Sequence, residues 1–444
     1  MNKEFHKKQN FFSFSDIDSE RKDRIMKFTS TEATPAPHVP PGVLRLTGAA
    51  KEDIPMYRIQ TMNKISPVGL NRFPSELYEV GDAVQDPQGI LVRSAKLLDL
   101  EFNPSLLAIA RAGVGVNNIP LDRCAAAGIP VFSTPGANAN AVKELVICAM
   151  LMGSRDIPGA IRWVREQAAS GVDVSTVVEK GKSAFIGPEL YKKTLGIIGL
   201  GAIGSIVANT AISLGMDVYG YDPFLSVDTA LRLDRHVHVV KDINDLYKRS
   251  DYITMHIHYT EKTAHMIDAD AIAAMKRGVR VINLARGEIV DDEAMLTALD
   301  TGMVAAYITD FPNNRLLTAP HVIAMPHLGA STSESEQNCA AMAVDTLRDY
   351  LESGNIRSSV NLPEMTMDRS GVQRLCVLHK NVPGMLANIT SLFGRDGVNV
   401  ENLSNKSRGD YAYTMVDLGS KVGDNVIEDV RRTANVIRVR SLEW

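Results

Sequence analysis

Residues Thr194 to Asp222, TLGIIGLGAIGSIVANTAISLGMDVYGYD, hold the most specific set of chemistry-bearing residues in the chain. Strand-forming Leu195 to Ile198 lead into Gly199-Leu200-Gly201-Ala202-Ile203-Gly204, a G-x-G-x-x-G spacing. A helical pattern follows, with Ile203, Ile206, Val207, Thr210 and Leu214 on one face, and then a second strand, Met216 to Tyr221, that ends on Asp222. This is the order a dinucleotide-binding βαβ unit requires. Gly199 permits the tight turn, Gly201 lets the main chain approach a pyrophosphate, and Gly204 lets the helix pack close to the strand. The helix N-terminus, with Ala202 and Ile203, offers unpaired N–H groups and a positive dipole end to the phosphates. Asp222 stands where an acid holds the adenosine ribose hydroxyls. It would repel a 2′-phosphate, and Pro223-Phe224 supplies no arginine to receive one, so the expected cofactor is NAD.

The other candidates sit where strands end. Arg93-Ser94 follow Gly89 to Val92, Arg111-Ala112-Gly113-Val114-Gly115 follow Leu106 to Ala110, Arg286 follows Val279 to Leu284, and Pro326-His327-Leu328-Gly329 follow Val322 to Ala324. Carboxyl ends of strands are where open α/β sheets bind ligands. A guanidinium fork suits a carboxylate or phosphate, and an imidazole, with an unperturbed pKa near ~6.5, can take a proton at neutral pH. His236-Val237-His238 and His256-Ile257-His258 each read as two rings on one strand face. Nothing further repeats at ligand spacing, so no metal is expected.

The elements that position these residues read as α/β. From Tyr57 to Phe132 strands alternate with helices, and Asn140 to Met152 is a helix apolar nearly all round. After Asp222 further strands follow at Tyr252 to Ile257, Val279 to Leu284, Val304 to Ile308 and Val322 to Ala324, which makes two Rossmann-like doubly wound parallel sheets. A long helix runs from Ser333 to about Glu352, and Asn355 to Ser370 reads as a linker. Arg374 to Trp444 then reads strand, helix, strand, strand, helix, strand: a ferredoxin-like βαββαβ unit. Residues 1 to about 53, broken by Thr34-Pro35-Ala36-Pro37 and Pro40-Pro41-Gly42, read as a disordered extension. Lys7, Lys8, Phe11 and Phe12 would suit a transit peptide, but Glu4, Asp16, Asp18 and Glu20 oppose it.

The net charge of -4 gives no reason to expect nucleic acid or an anionic membrane as partner. Four scattered cysteines without a C-x-x-C pair suggest a reducing compartment, and no apolar run reaches a membrane span, so a cytoplasmic protein is expected.

Four segments carry a resemblance to the D-2-hydroxyacid dehydrogenases, in particular to members that oxidise D-3-phosphoglycerate. They are Arg111-Ala112-Gly113-Val114-Gly115-Val116-Asn117-Asn118, the glycine motif, Ile282-Asn283-Leu284-Ala285-Arg286-Gly287, and Pro326-His327-Leu328-Gly329-Ala330-Ser331-Thr332. The tail resembles an ACT domain, a small-molecule sensor. The resemblance implies a discontinuous substrate domain, 54–146 and 329–364, an NAD domain at 147–328 and an ACT domain at 371–444. It implies that His327 is the base and that Arg286 holds the substrate carboxylate and polarises the forming carbonyl. Ala285, Asp310, His327 and Gly329 then join the glycine motif around the cofactor. The substrate phosphate falls to Arg93, Ser94 and Arg111, with Gly115 alongside, and the carboxylate end to Asn138 and Asn140. Lys182 would reach a site across a dimer interface. A homodimer or homotetramer is implied, with L-serine as effector at His379, Asn381 and Asn399.

One departure stands out. Family members carry an acid that orients the histidine in a stretch resembling Asp-Val-Phe-x-x-Glu-Pro. Here Thr309-Asp310-Phe311-Pro312-Asn313-Asn314 puts Asn314 at that acid's place, so that either Asp310 substitutes, another acid reaches the ring, or activity is slow. The alternatives are another D-2-hydroxyacid dehydrogenase or a non-catalytic NAD-binding sensor on the same fold.

Overall fold

The structure is a computed structural model and describes residues 56–444; the expected N-terminal extension lies outside them. Three sheets organise the chain. The first is parallel, in the order β2-β1-β3-β4-β5, with β1 Tyr57–Met62, β2 Tyr78–Gly81, β3 Gly89–Val92, β4 Ala108–Arg111 and β5 Val131–Phe132. The second is parallel and seven-stranded, in the order β12-β11-β10-β9-β6-β7-β8. Its strands are β6 Thr194–Ile198, β7 Asp217–Tyr221, β8 His238–Val240, β9 Tyr252–Met255, β10 Val279–Asn283, β11 Val304–Thr309 and β12 Val322–Ala324. Near-continuous apolar runs such as Leu195 to Ile198 and Tyr252 to Met255 are buried throughout, as a sheet covered on both faces requires.

In both sheets the strand order reverses once, between β1 and β3 in the first and between β6 and β9 in the second. These reversals open the crevices in which such sheets bind ligands. The glycine motif follows β6, and the His256 N–H donates to the Ile198 carbonyl beside it (2.8 Å), which places the motif at the second crevice. At the first crevice, Asn63 follows β1 in a left-handed conformation (φ 74°). Its carboxamide oxygen accepts the N–H groups of Ser94 (3.0 Å) and Ala95 (2.6 Å) and so shapes the turn that carries Arg93.

Two long helices join the parallel sheets. Helix α1 (Ala139–Arg155) enters the second sheet and buries Val142, Val146, Ala149 and Met150 against it, while Cys148 and Leu151 stay exposed, so a helix that is apolar nearly all round is buried on one side only. A hairpin of α2 (Ile157–Ala169) and α3 (Val174–Gly181), which sequence patterning missed, follows it. The glycine-motif helix is α4 (Ala202–Ser213), and α5 (Asp292–Asp300) lies between β10 and β11. Helix α6 (Ser333–Ser353) returns to the first sheet. Gly69 lies so close to it that a Cβ there would meet the Ala340 carbonyl carbon at 2.6 Å. Arg72 grips Asp345 with two hydrogen bonds, and the Tyr57 hydroxyl donates to the Leu351 carbonyl.

The third sheet is antiparallel, in the order β14-β15-β13-β16, with β13 Gln373–Lys380, β14 Val400–Arg408, β15 Tyr411–Leu418 and β16 Val436–Glu443. With α7 (Met385–Arg395) and α8 (Asp424–Arg432) it forms the expected βαββαβ order. One face buries Leu375, Val377 and Val416 against α7 and α8. The other buries Cys376, Leu378, Tyr413 and Met415 in a core shared with the first sheet and α6.

The segment read as a linker is part of that shared core. Ile356, Leu362, Met365 and Met367 are buried, Ile356 bridges Met365, and Ser359 bridges Phe132. Sequence reading failed there because an irregular segment buries side chains without a period. The tail also closes the C-terminus of α6: Arg440 donates to the carbonyls of Tyr350 (3.0 Å) and Leu351 (2.8 Å), and the Tyr413 hydroxyl donates to that of Gly354 (2.6 Å). The Gly354 N–H closes the last turn on the Tyr350 carbonyl (2.9 Å), and the tail supplies further donors to the carbonyls of that turn.

Candidate functional site

The glycine motif has the geometry a dinucleotide needs. Gly199 adopts φ 89°, and a Cβ there would strike the His256 carbonyl oxygen at 2.6 Å. At Gly204 a Cβ would collide with the Gly199 carbonyl oxygen, whereas at Gly201 it would meet nothing within 4 Å. The one glycine facing open space is thus the one that must admit a pyrophosphate, and α4 starts there without a side-chain cap. Asp222 is held by the N–H groups of Leu200 (2.9 Å) and Phe224 (2.8 Å), one on each carboxylate oxygen, which leaves a lone pair on each for a ribose hydroxyl. The residues present therefore fit NAD. Asp222→Ala is expected to narrow the preference for NADH over NADPH in a fluorescence titration. Equal affinity of the unmutated protein for the two would overturn the assignment to Asp222.

Asp310 supplies a second fit. It follows β11 and is buried, and its Oδ2 accepts the Gly329 N–H (3.1 Å). Its Oδ1 is buried without a partner, an orphaned acceptor of the kind that a ligand amide satisfies. Burial pushes the Asp310 carboxyl up, while the Gly329 N–H and the nearby His327 ring oppose that shift.

The His327 ring lies near enough to act on the Asp310 carboxyl, although none of the Asp310 hydrogen bonds goes to that ring. Asn314, at the family's acid position, is exposed. Its neighbours are drawn toward α5, Asn313 by Asp292 (2.6 Å) and Arg315 by Glu293. His327 is exposed, and its ring lies against Phe311 at 4.7 Å between centroids. A Cβ on Gly287 would touch the Phe311 Cβ at 3.3 Å, so Phe311 is wedged between the Arg286-Gly287 turn and the histidine. Sequence reading missed this spacer. It also missed Asn283, fully buried, which donates to the Arg286 carbonyl (2.8 Å) and accepts the Ala285 N–H (3.2 Å), fixing the turn that carries the arginine.

The structure brings Arg111 and Arg286 together from the two parallel sheets, with Arg93 near enough for its charge to act on Arg111. A Cβ on Gly115 would lie 3.3 Å from Arg286 Nη2 and 3.8 Å from Arg111 Nη1. Arg111 Nε donates to the Arg93 carbonyl (3.0 Å). Burial lowers the pKa of Arg111, and the like charges of Arg286 and Arg93 lower it further. Among the described residues neither Arg111 nor Arg286 has a carboxylate partner, whereas Arg93 pairs with Glu336 (2.6 Å). Such an excess of positive charge at strand carboxyl ends suits an anion with more than one charge.

The remaining candidates distribute differently. A Cβ on Gly136 would approach the Ala202 Cβ at 3.3 Å, so the turn leading to Asn138 lies over the start of α4. Asn138 Oδ1 is buried and unpartnered there, and Asn140, exposed, donates to Glu144 of its own helix. Lys182 pairs with Glu179 at the end of the α2–α3 hairpin. The paired histidines do not share strand faces. His236 precedes β8 and bonds Asp234 (2.7 Å), while His256 and His258 lie beyond the end of β9. Burial pushes His256 down to about 4.

In the tail, both ring nitrogens of His379 are engaged within the chain. The residue is buried, with Nδ1 on the Lys380 carbonyl and Nε2 on the Thr414 hydroxyl, both at 2.8 Å. Asn381 and Asn399 are exposed.

Comparison with known proteins places this geometry. Residues 147–329 match the family model described as the D-isomer specific 2-hydroxyacid dehydrogenase, NAD binding domain. The chain is 36% identical over 326 residues to a D-3-phosphoglycerate dehydrogenase of Synechocystis, covering 71% of this chain and 56% of that protein. It thus spans little more than half the length of that relative. It is 31% identical over 380 residues to the D-3-phosphoglycerate dehydrogenase of Escherichia coli, covering 82% of this chain and 89% of the relative. Among solved structures, the NAD+-bound 3-phosphoglycerate dehydrogenase of Entamoeba histolytica matches with a TM-score of 0.54 and 26% identity, over 69% of this chain and 99% of that one. Glycine motif, strand order and sequence similarity agree: the chain belongs to the D-isomer-specific 2-hydroxyacid dehydrogenase family and carries that family's NAD-binding domain.

Proposed function

We propose that the protein oxidises D-3-phosphoglycerate to 3-phosphohydroxypyruvate with NAD. The observation that supports this reading is that Arg111 and Arg286 meet beside Gly115 with Arg93 near Arg111, and that among the described residues neither Arg111 nor Arg286 has a carboxylate partner. A trianionic substrate needs that much positive charge, and a simple hydroxy acid does not. Bound NAD supplies the hydride acceptor, held by the glycine motif, Asp222 and Asp310. Arg286 binds the substrate carboxylate, and its charge stabilises the oxygen that becomes the carbonyl as the hydride leaves. His327 takes the hydroxyl proton, and the Asp310 charge behind it stabilises the resulting imidazolium. Arg111 and Arg93 hold the phosphate.

The test is NADH formation from 3-phosphoglycerate at alkaline pH, where the released proton favours oxidation. Absence of NADH from a protein that still binds NAD would overturn the substrate assignment. The tail is proposed to be an ACT domain. L-Serine would be held at Asn381 and Asn399 without His379, and the same assay run with added serine reads its effect as a lowered initial rate.

The functional unit is proposed to be a homodimer built on the α2–α3 hairpin. That hairpin buries no side chain, exposes Ile161, Val164 and Val178, and carries an apolar groove of about 630 Å³ lined by Trp163 and Phe185. Lys182 sits at its end, where it would face the second copy. Ile161→Asp combined with Val178→Asp is expected to convert the dimer to monomer in sedimentation velocity. A monomeric unmutated protein would overturn this assembly.

A further inference from the structure

We propose that Glu336 is the counter-ion that Arg93 gives up to take the substrate phosphate, so that it competes with phosphate for that guanidinium. The inference rests on the proposed reading of the three arginines as the anion site and adds a residue with no assigned role. Glu336 lies in the first turn of α6, and its carboxylate holds the Arg93 guanidinium at 2.6 Å, with both side chains a little over two-fifths exposed. One turn further along, Cys339 is buried in the same core as Ala112, the residue that follows Arg111. The same face of α6 therefore runs along the cluster, and Glu336 is the one carboxylate of the described residues paired with any of the three arginines.

This arrangement makes Arg93 conditionally available. An exposed arginine–carboxylate pair contributes little, so a stronger anion displaces the carboxylate readily. A phosphate, with about two charges and three strong acceptor oxygens, is such an anion. A hydroxy acid that brings only one carboxylate satisfies Arg286 and has nothing to offer Arg93, so the pair with Glu336 stays closed. Glu336 thus competes with phosphate for Arg93, and removing its charge favours phosphorylated ligands while leaving a hydroxy acid with one carboxylate nearly unchanged. Glu334, also in the first turn of α6, is an exposed carboxylate whose hydrogen bond from Ser333 keeps it engaged locally.

The test compares Glu336→Gln, Glu336→Asp and Arg93→Ala with the unmutated full-length protein. Glutamine keeps the size and removes the charge. Glu336→Gln is expected to lower KM for 3-phosphoglycerate by about two- to fivefold and to tighten inhibition by inorganic phosphate by a similar factor, the range an exposed pair allows. KM for glycerate should change less, kcat should stay close to that of the unmutated protein, and Glu336→Asp should restore the original pattern. A purely structural role would instead lower the melting temperature and kcat for both substrates and improve neither KM. Arg93→Ala separates the two levels. It should raise KM for 3-phosphoglycerate at least about tenfold, as loss of a charged hydrogen bond does. If it leaves that KM unchanged, the anion-site reading itself fails. If it raises KM while Glu336→Gln leaves both KM and phosphate inhibition unmoved, the exchange at Arg93 is wrong and the anion site stands.

Discussion

His327→Ala is expected to lower kcat by about 10²- to 10⁴-fold, the range over which a positioned proton acceptor contributes. The ring follows β12, is exposed at the cleft, and is held against Phe311 rather than by an acid at the Asn314 position. NADH affinity, measured by fluorescence, should change far less than kcat, because the glycine motif and Asp222 lie at the end of other strands. Asp310→Asn should cost less than His327→Ala: it removes the nearby charge but keeps an acceptor for the Gly329 N–H. If His327→Ala retains more than about a tenth of the original kcat, the proton is taken by another group.

Asp417→Leu is expected to destabilise the whole described chain by about 3–5 kcal/mol, the usual cost of stranding one partner of a buried ion pair. Arg374 and Asp417 are both fully buried and joined by two hydrogen bonds of 2.6 and 2.7 Å. The same guanidinium donates to the carbonyls of Ser353, Met367 and Asp368, and Asp417 also accepts the Ser370 N–H. The pair thus ties the tail sheet to the end of α6 and to the segment that follows it. Urea midpoints at constant m-value would measure the loss. The double substitution Arg374→Met with Asp417→Leu should recover most of it, since matched apolar residues remove the stranded charge. A loss below about 1 kcal/mol in the single variant would mean that water reaches Arg374. The same geometry predicts that removing the tail near Ser370 exposes the core formed by Leu347, Ile356 and Leu362, so truncation tests folding before it tests regulation.

Much of the NAD-binding half was legible without coordinates because its rules are local. Whether Gly199 must adopt a positive φ, or Gly204 must lack a Cβ, is decided by atoms within a few residues, and strand and helix periods recur within one turn or one pleat. The parallel strands were legible for a related reason: burial on both faces leaves continuous apolar runs. What the tertiary structure decided depends on atoms far apart in sequence. Arg111 and Arg286 meet only because two sheets present their strand ends to one another beside Gly115. Asp310 stands near His327 because β11 and β12 are neighbours, whereas alignment by motif had pointed to Asn314. His379, a candidate effector ligand in the sequence, has its ring against Thr414 because β15 lies beside β13. The polar stretch after α6 became core because the tail sheet covers it, and packing from another element leaves no period in the segment it buries.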